Sequence, residues 1–545
     1  MAKFASARHA PASPVTTTGA RTSTHEGGAA FTRDAKSDLF LFAAVNMVGE
    51  GTFYETVGDR DARFRDLVHA ATKQDPDWVA RFVPYLRGHM NMRSAAVVMA
   101  AESALARKQG TDKAATIPVR KMIAGALQRA DEPAEFVAYW KARTGSTTMP
   151  GGVQRGVGDA VTRLYTERAA LKYDGGASQW RMADLVALAK PKPSGPWQAD
   201  LFDYLADRRW GRDRVRVTSR LPILSSYRAA MAMSEADRRA WFLEDPDRLG
   251  AAGMTWEQLS SLGRMDAAAW TAIVPHMGLM ALVRNLRNLD EAGVPDAVAE
   301  RVCARLADPE EVARSRQFPY RFLSAYRAAP SLRWGHALEK ALAASTARVP
   351  ALPGRTLVVV DTSASMCNTV SGRSVLRHVD VGALFGVALA ARGCDVDLVG
   401  YANGTFRHPL KPGGSMLRQT EEFCARIGEV GHGTETVAAL QATYAGHDRV
   451  VIISDMQAFA HPGDRMRGHY GARGEVRGMS VSDAIPAEVP MFGVNTSGYA
   501  PSSIDTGRPH RYEVGGFSDK LFTLVNMLSR GGDAGWPWEQ EQTAL

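Results

Sequence analysis

The sequence lacks the features that mark membrane, secreted and zinc-binding proteins. It has 545 residues but no apolar run of about 18 residues, the length that spans a bilayer. The first residues include no compact apolar segment of the kind found in secretion signals. The four cysteines form no C-x-x-C pair and match no zinc pattern. We therefore expect a cytoplasmic protein with reduced thiols and no membrane span.

Common catalytic motifs are missing as well. The chain has no H-E-x-x-H, G-x-S-x-G or P-loop sequence, so metalloprotease, esterase and nucleotide hydrolase activities lack support. A phosphatase of the haloacid dehalogenase type would carry a second aspartate two residues after Asp361, where Ser363 stands. A hydrolase using Asp361 and Asp455 would have His432 as its one candidate base. We predict that the protein is not an enzyme.

Acidic residues are scarce relative to basic ones in the first part of the chain. Residues 1–350 hold 49 Lys and Arg against 38 Asp and Glu, a net charge of +11. Residues 351–545 hold 17 Lys and Arg against 20 Asp and Glu, a net charge of −3. A basic excess confined to one region favours a polyanionic partner such as RNA, although it also serves solubility.

The chain divides into three parts by pattern. Residues 1–30 are rich in Ala, Thr, Ser, Pro and Gly and predict a disordered tail. Residues 31–350 show helical periodicity with short connections and no strand before Thr356, which predicts an all-α solenoid. Residues 351–545 alternate apolar strands with helices, which predicts an α/β domain with a doubly wound, mostly parallel sheet.

Oxygen-bearing side chains follow two strands of this predicted sheet. The segment Asp361-Thr362-Ser363-Ala364-Ser365 directly follows Leu357–Val360, and Asp455 directly follows Val450–Ser454. Thr434 precedes a predicted helix. Because the carboxyl ends of parallel strands share one sheet edge, we expect these groups to meet there. Carboxylates and hydroxyls suit Mg²⁺, or another divalent cation such as Mn²⁺, with room for an acidic group of a partner. The predicted ligands are Asp361, Ser363, Ser365, Thr434 and Asp455. Any one of them alone is explained equally well as a helix cap.

This order of residues resembles the metal-ion-dependent adhesion site of a von Willebrand factor A domain. Upstream, Met280–Leu286, Phe318-Pro319-Tyr320 and Leu185–Ser194 resemble the TROVE module. Together, over roughly residues 31–545, the chain resembles the Ro ribonucleoprotein autoantigen family. The resemblance implies a ring of HEAT-like helices closed by the A domain. It also implies that the ring takes single-stranded 3′ ends of misfolded non-coding RNA, while Y-like small RNAs bind outside and can tether a 3′ exoribonuclease.

The resemblance also suggests residues that contact RNA. Arg155 matches a family arginine near the central hole, Lys190 falls at a lining position close to Lys192, and His89 and Arg93 are further candidates for the cavity. The densest basic stretch adds Arg208, Arg209, Arg212, Arg214 and Arg216. A solvated face explains this stretch equally well, since aspartates interrupt it.

The alternative to an RNA-binding scaffold is a metal-dependent protein-interaction scaffold. Its A domain would capture an acidic side chain of a partner through the metal, and its helices would bind protein.

Overall fold

The protein consists of a helical region that leads into an α/β domain. The structure is a computed structural model and describes residues 13–111, 115–175, 179–211, 215–347, 349, 351–372, 374–458, 479–516, 525 and 535–540. Within these ranges no helix is both long and apolar enough to cross a membrane.

The helical region is built from short helices that start at local capping signals. Thr56 accepts a hydrogen bond from Asp59 N at 3.2 Å, and Thr166 accepts one from Ala169 N at 3.2 Å. Each of these two side-chain hydrogen bonds satisfies a backbone amide that has no partner within its own helix. Among the described residues the helices are α1 Ala35–Val45, α2 Val57–Gln74, α3 Pro76–Gly88, α4 Arg93–Ala106, α5 Val119–Ala126, α6 Glu132–Thr144, α7 Gly151–Leu164, α8 Glu167–Tyr173, α9 Met182–Ala189, α10 Pro196–Arg209, α11 Pro222–Met231, α12 Glu235–Glu244, α13 Asp247–Ala251, α14 Trp256–Ser261, α15 Ala267–Ile273, α16 Leu279–Glu291, α17 Asp296–Ala307, α18 Pro309–Ser315, α19 Tyr320–Ala328 and α20 Leu332–Ser345.

An antiparallel hairpin precedes the helices, formed by β1 (Thr17–Ser23) and β2 (Ala29–Arg33). The prediction of a disordered tail is therefore wrong for the described residues 13–30. The prediction that no strand precedes Thr356 is wrong as well. The hairpin pairs with the α/β domain through Phe31 and Ser502, whose backbone amides and carbonyls bond each other at 2.8 and 3.1 Å. The hairpin is thus held against a segment that is remote in the sequence.

Among its described residues, the α/β domain contains one six-stranded sheet. Its strands are β3 Arg355–Asp361, β4 Asp395–Tyr401, β5 Thr405–His408, β6 Arg449–Ser454, β7 Met491–Asn495 and β8 Arg511–Gly515, in the order β5-β4-β3-β6-β7-β8. The edge strand β5 is antiparallel to β4, and the other neighbours are parallel. The domain's described helices are α21 His378–Ala391, α22 Met416–Cys424, α23 Thr436–Thr443 and α24 Pro537–Gln540.

Helices cover both faces of the sheet. Val358 and Val360 of β3 belong to the core that includes α21, while Leu357 and Val359 belong to a second core that includes Leu440 of α23. This alternation follows from the two-residue side-chain period of a strand. The predicted fold class, a helical solenoid ring followed by a doubly wound α/β domain, is confirmed. The sequence also predicts a closing helix at Asp519–Ser529 and a connection rich in Gly and Arg at 461–480. The helix lies outside the described residues apart from Val525, and so does most of the connection.

The start of the helical region is attached to the α/β domain by buried arginines. Arg33 Nη2 lies 2.6 Å from Glu513 Oε1, and both side chains are fully buried. Arg60 Nη2 donates to Ser497 O at 2.8 Å. We call this contact the first seam.

The end of the helical region is attached to the same domain. Arg327 bonds Asp380 of α21 at 3.1 Å and Glu421 of α22 at 2.7 Å. Glu339 accepts from Met416 N at 2.7 Å, at the start of α22. We call this contact the second seam. Because both ends of the helical region reach one domain, the chain closes into a ring.

Candidate functional site

The carboxyl end of β3 carries a buried group of oxygen atoms. Asp361 Oδ1 accepts from Ser363 N at 2.8 Å, and Asp361 Oδ2 accepts from Ser454 Oγ at 2.6 Å. The hydroxyls of Ser363 and Ser365 lie 3.1 Å apart. All four side chains are buried. The turn therefore directs a carboxylate and two hydroxyls into one small volume, as the sequence predicts.

The loop that carries Thr434 is tied to this turn. Ala364 N donates to His432 O at 3.1 Å, two residues before Thr434. Asn403, after β4, accepts from the amides of His432 and Gly433 at 3.1 and 3.0 Å. Thr434 is itself buried. The loop is thus held at the same edge of the sheet as Asp361, where the sequence places it.

Asp455 adds a second buried carboxylate directly after β6. Its Oδ1 accepts from Gln457 N at 3.2 Å, and its Oδ2 has no hydrogen-bond partner among the described residues. Neither Asp455 nor Asp361 forms an ion pair with any residue in the described part of the chain. Burial raises the pKa of both carboxyl groups, and the charge of Asp361 raises the pKa of Asp455 further.

The chemistry of this donor set suits a hard divalent cation. Two buried carboxylates without a compensating cation are costly, and a bound 2+ ion would neutralise them. The described residues contain no cluster of three or more His, Cys, Asp or Glu side chains that could hold a metal. The residues that would hold the ion are Asp361, Ser363, Ser365, Thr434 and Asp455.

Sequence reasoning missed three residues around this centre. Ser454 bonds Asp361, and its place just before Asp455 at the strand end was an available signal. Tyr54, between α1 and α2, donates to Glu26 of the hairpin turn. Burial and the charge of Asp455 raise the pKa of Tyr54. Nothing in the sequence links residues 26 and 54 to position 455.

Three of the predicted RNA-binding residues form one exposed basic surface where α7 meets the end of α9. Arg155, Lys190 and Lys192 are exposed and form no ion pair with a described residue. Helix α7 and the end of α9 are joined because Gln154 Nε2 donates to Leu188 O at 2.8 Å. We call these three cations the α7–α9 surface.

The other predicted RNA-binding residues are compensated or not described. Arg93 lies near three carboxylates, the closest contact being with Glu135, and the His89 ring stacks on Tyr85. Arg212 and Arg214 lie outside the described residues. The remaining arginines of the basic stretch each pair with an aspartate: Arg208 with Asp174, Arg209 with Asp184, and Arg216 with Asp207.

Comparisons with known proteins agree with this architecture. Residues 249–354 match the family model of the TROVE domain. Telomerase protein component 1 of Mus musculus and that of Rattus norvegicus are each 39% identical to this chain over 74 residues. That segment is 13% of this chain and 3% of either relative, so the chain spans only a small part of those proteins.

A solved structure matches nearly the whole chain. The crystal structure of the Deinococcus radiodurans Ro (RSR) protein superimposes with a TM-score of 0.59 at 20% identity. The match covers 91% of this chain and 100% of the Ro chain. Residues 249–354 are thus similar to the TROVE domain family, and the chain shares the fold of the Deinococcus radiodurans Ro (RSR) protein.

Proposed function

We propose that this protein is an RNA-binding scaffold of a Ro-type ribonucleoprotein. It takes single-stranded 3′ ends of misfolded non-coding RNA in the ring and Y-like small RNA on its outer surface. In this role it serves RNA quality control or degradation in the cytoplasm, with a 3′ exoribonuclease as a partner. The observation that carries the proposal is the α7–α9 surface, which presents three cations without carboxylate partners among the described residues.

A phosphate backbone binds best to cationic side chains that have no carboxylate partner. Phosphate contacts dominate the affinity of proteins for nucleic acid, and they depend on side chains that are not already neutralised. The paired arginines at 208, 209 and 216 would first have to leave Asp174, Asp184 and Asp207. We therefore assign the α7–α9 surface the larger share of the RNA affinity.

Crosslinking in cells followed by sequencing of the recovered nucleic acid tests this function. We expect small structured RNAs and RNAs with single-stranded 3′ ends, enriched over a crosslinked control protein of similar charge. Recovery of protein partners with no enriched RNA would instead favour the protein-interaction scaffold.

We further propose that the oxygen centre binds Mg²⁺ or Mn²⁺. When bound, the ion supplies an electrophilic point at which a carboxylate oxygen can dock. The chain's own contribution is to hold the two carboxylates and the hydroxyls in place through the bonds from Ser363 N, Ser454 and Gln457 N. The side chains of Asp361, Ser363, Ser365, Thr434 and Asp455 are all buried.

Replacing Asp455 by asparagine has opposite effects with and without metal. In metal-free buffer the D455N variant is expected to have a free energy of unfolding about 1–3 kcal/mol higher than the wild type, and so a higher melting temperature, because it removes one of two buried like charges. Addition of Mg²⁺ or Mn²⁺ should raise the melting temperature of the wild type and leave D455N unchanged. Differential scanning calorimetry measures both effects.

The control for this experiment is Glu488→Gln, which removes an exposed carboxylate of the same domain. It should leave both the metal-free melting temperature and the metal response as in the wild type. An equal metal response of D455N and wild type would refute the metal centre.

A further inference from the structure

A basic loop joins the end of α9 to the start of α10 and ends at an exposed tryptophan. Its sequence is Lys190-Pro191-Lys192-Pro193-Ser194-Gly195-Pro196-Trp197, and it carries two of the three cations of the α7–α9 surface. Each proline fixes its own φ, so the backbone has little freedom to lose when a ligand binds. The loop is therefore suited to holding its side chains ready for a partner.

Helix α7 holds this loop at two points. Thr162 Oγ1 donates to Lys192 O at 3.0 Å, and the carbonyl of Thr162 accepts from Gln198 Nε2 at 2.8 Å. Gln198 directly follows Trp197, and its Oε1 accepts from Ser194 N at 2.8 Å. One residue of α7 thus brings the backbone at Trp197 close to the backbone at Lys192.

The Trp197 ring lies against the loop, yet a large part of it faces solvent. A Cβ on Gly195 would be only 3.5 Å from Cδ1 of the ring, so the indole lies close to the glycine. Trp197 is 37% exposed, whereas Trp78 and Trp334 are fully buried. Single exposed apolar residues are common on protein surfaces. What distinguishes this one is its place beside three cations that form no ion pair with a described residue.

Cations alone do not distinguish single-stranded from double-stranded RNA, because both present phosphates. In a duplex the bases are stacked on one another, and their faces are closed to a side chain. An unpaired base can instead stack on an aromatic ring. A tryptophan beside phosphate-binding cations therefore favours a single strand.

We propose that Trp197 stacks on an unpaired base of an RNA whose phosphates bind the α7–α9 surface, and that this contact makes the surface selective for single strands. The proposal rests on the RNA-binding function proposed above and adds the feature of the RNA that is recognised. Because every base has a flat π face, the contact does not depend on the sequence of the strand.

Fluorescence anisotropy with the full-length protein and three labelled RNAs tests this proposal. The RNAs are a short single strand of mixed sequence, the same strand with abasic sites, and a blunt duplex. Trp197→Leu is expected to weaken binding of the single strand roughly 5- to 100-fold. Its dependence of affinity on salt should stay as in the wild type, because no phosphate contact is lost. Its affinity for the duplex should also be unchanged, and the wild type should bind the abasic strand more weakly than the intact one.

Two further variants serve as controls. Trp210 is 54% exposed at the other end of α10, where it follows Arg208 and Arg209, which pair with aspartates. Trp210→Leu removes an equally exposed indole and should leave the affinity for the single strand nearly unchanged. Trp197→Phe keeps an aromatic face and should retain most of the affinity, whereas a residue that only supports the loop would not require an aromatic ring.

The outcomes distinguish the stacking contact from the RNA-binding function. If the wild type does not bind the single strand, the RNA-binding function itself is refuted. If the wild type binds it and Trp197→Leu binds it equally well, stacking is refuted while RNA binding stands. An equal loss of affinity for the duplex, or a larger loss in Trp210→Leu, also contradicts the role of Trp197. The abasic strand requires no substitution: if the wild type binds it as tightly as the intact strand, stacking is refuted even where Trp197→Leu fails to fold.

Discussion

Replacement of Arg33 by methionine is expected to lower the free energy of unfolding by about 3–5 kcal/mol, because it leaves the buried carboxylate of Glu513 without its ion-pair partner. Arg33 Nη2 and Nε bond the two carboxylate oxygens of Glu513 at 2.6 and 2.9 Å. Arg33 Nη1 also donates to the carbonyls of Tyr499 and Ala500 at 2.9 and 2.8 Å. Methionine fills part of the volume and supplies none of these bonds, so the first seam should weaken.

Urea denaturation followed by circular dichroism measures this loss, with Arg21→Met as the matched control. Arg21 lies on the same hairpin but is exposed, and its replacement should change stability by less than about 0.5 kcal/mol. The double variant Arg33→Met/Glu513→Leu should recover much of the loss, since it removes the unpaired charge as well. If Arg33→Met behaves like Arg21→Met, the buried pair does not stabilise the seam.

The cluster of oxygen-bearing side chains at the ends of β3 and β6 was predictable because its residues follow apolar strands directly. The sequence predicts a strand at Asp395–Tyr401 with the bounds that the structure shows, and Leu357–Val360 lies inside the observed β3. Parallel strands bring their carboxyl ends together whatever the loops do. The residues at the ends of β3 and β6 were therefore fixed in space by a pattern that is visible in the sequence alone.

The hairpin and β8 could not be predicted, because their partners are remote in sequence. β8 contains Arg511 and Glu513, which argue against a buried strand. In the structure Glu513 is matched by Arg33, nearly 500 positions earlier, while the guanidinium of Arg511 donates to backbone carbonyls such as Ser482 O at 2.8 Å. Burial of these charges depends on tertiary contacts that no local pattern records.

The exact ends of helices are also difficult to predict from local sequence. Periodicity predicts one helix over Val153–Leu171, but the structure ends α7 at Leu164 and starts α8 at Glu167. Thr166 caps the second helix, and the carbonyl of Tyr165 accepts from buried Gln198 Nε2 at 3.0 Å. The apolar stripe continues across the break, so the pattern of apolar residues alone does not reveal it.

Replacement of Arg155, Lys190 and Lys192 together by alanine is expected to weaken binding of a single-stranded RNA roughly 100-fold at low salt, because three uncompensated cations are lost. The dependence of the logarithm of affinity on the logarithm of salt concentration should become shallower by about 2, since each phosphate contact contributes about 0.7 for a single strand. Fluorescence anisotropy with a labelled RNA that ends in a single-stranded 3′ tail, measured over a salt series, gives both quantities.

The matched control is the triple variant Arg208→Ala/Arg209→Ala/Arg216→Ala, which removes the same number of cations from the compensated stretch. Each of these arginines pairs with an aspartate, so their loss should reduce the affinity for the 3′ tail less and leave the salt dependence nearly unchanged. A larger effect of the control than of the α7–α9 variant would move the RNA surface to the basic stretch. Affinity of the wild type that does not fall with salt would refute phosphate binding altogether, because release of counterions accompanies every such contact.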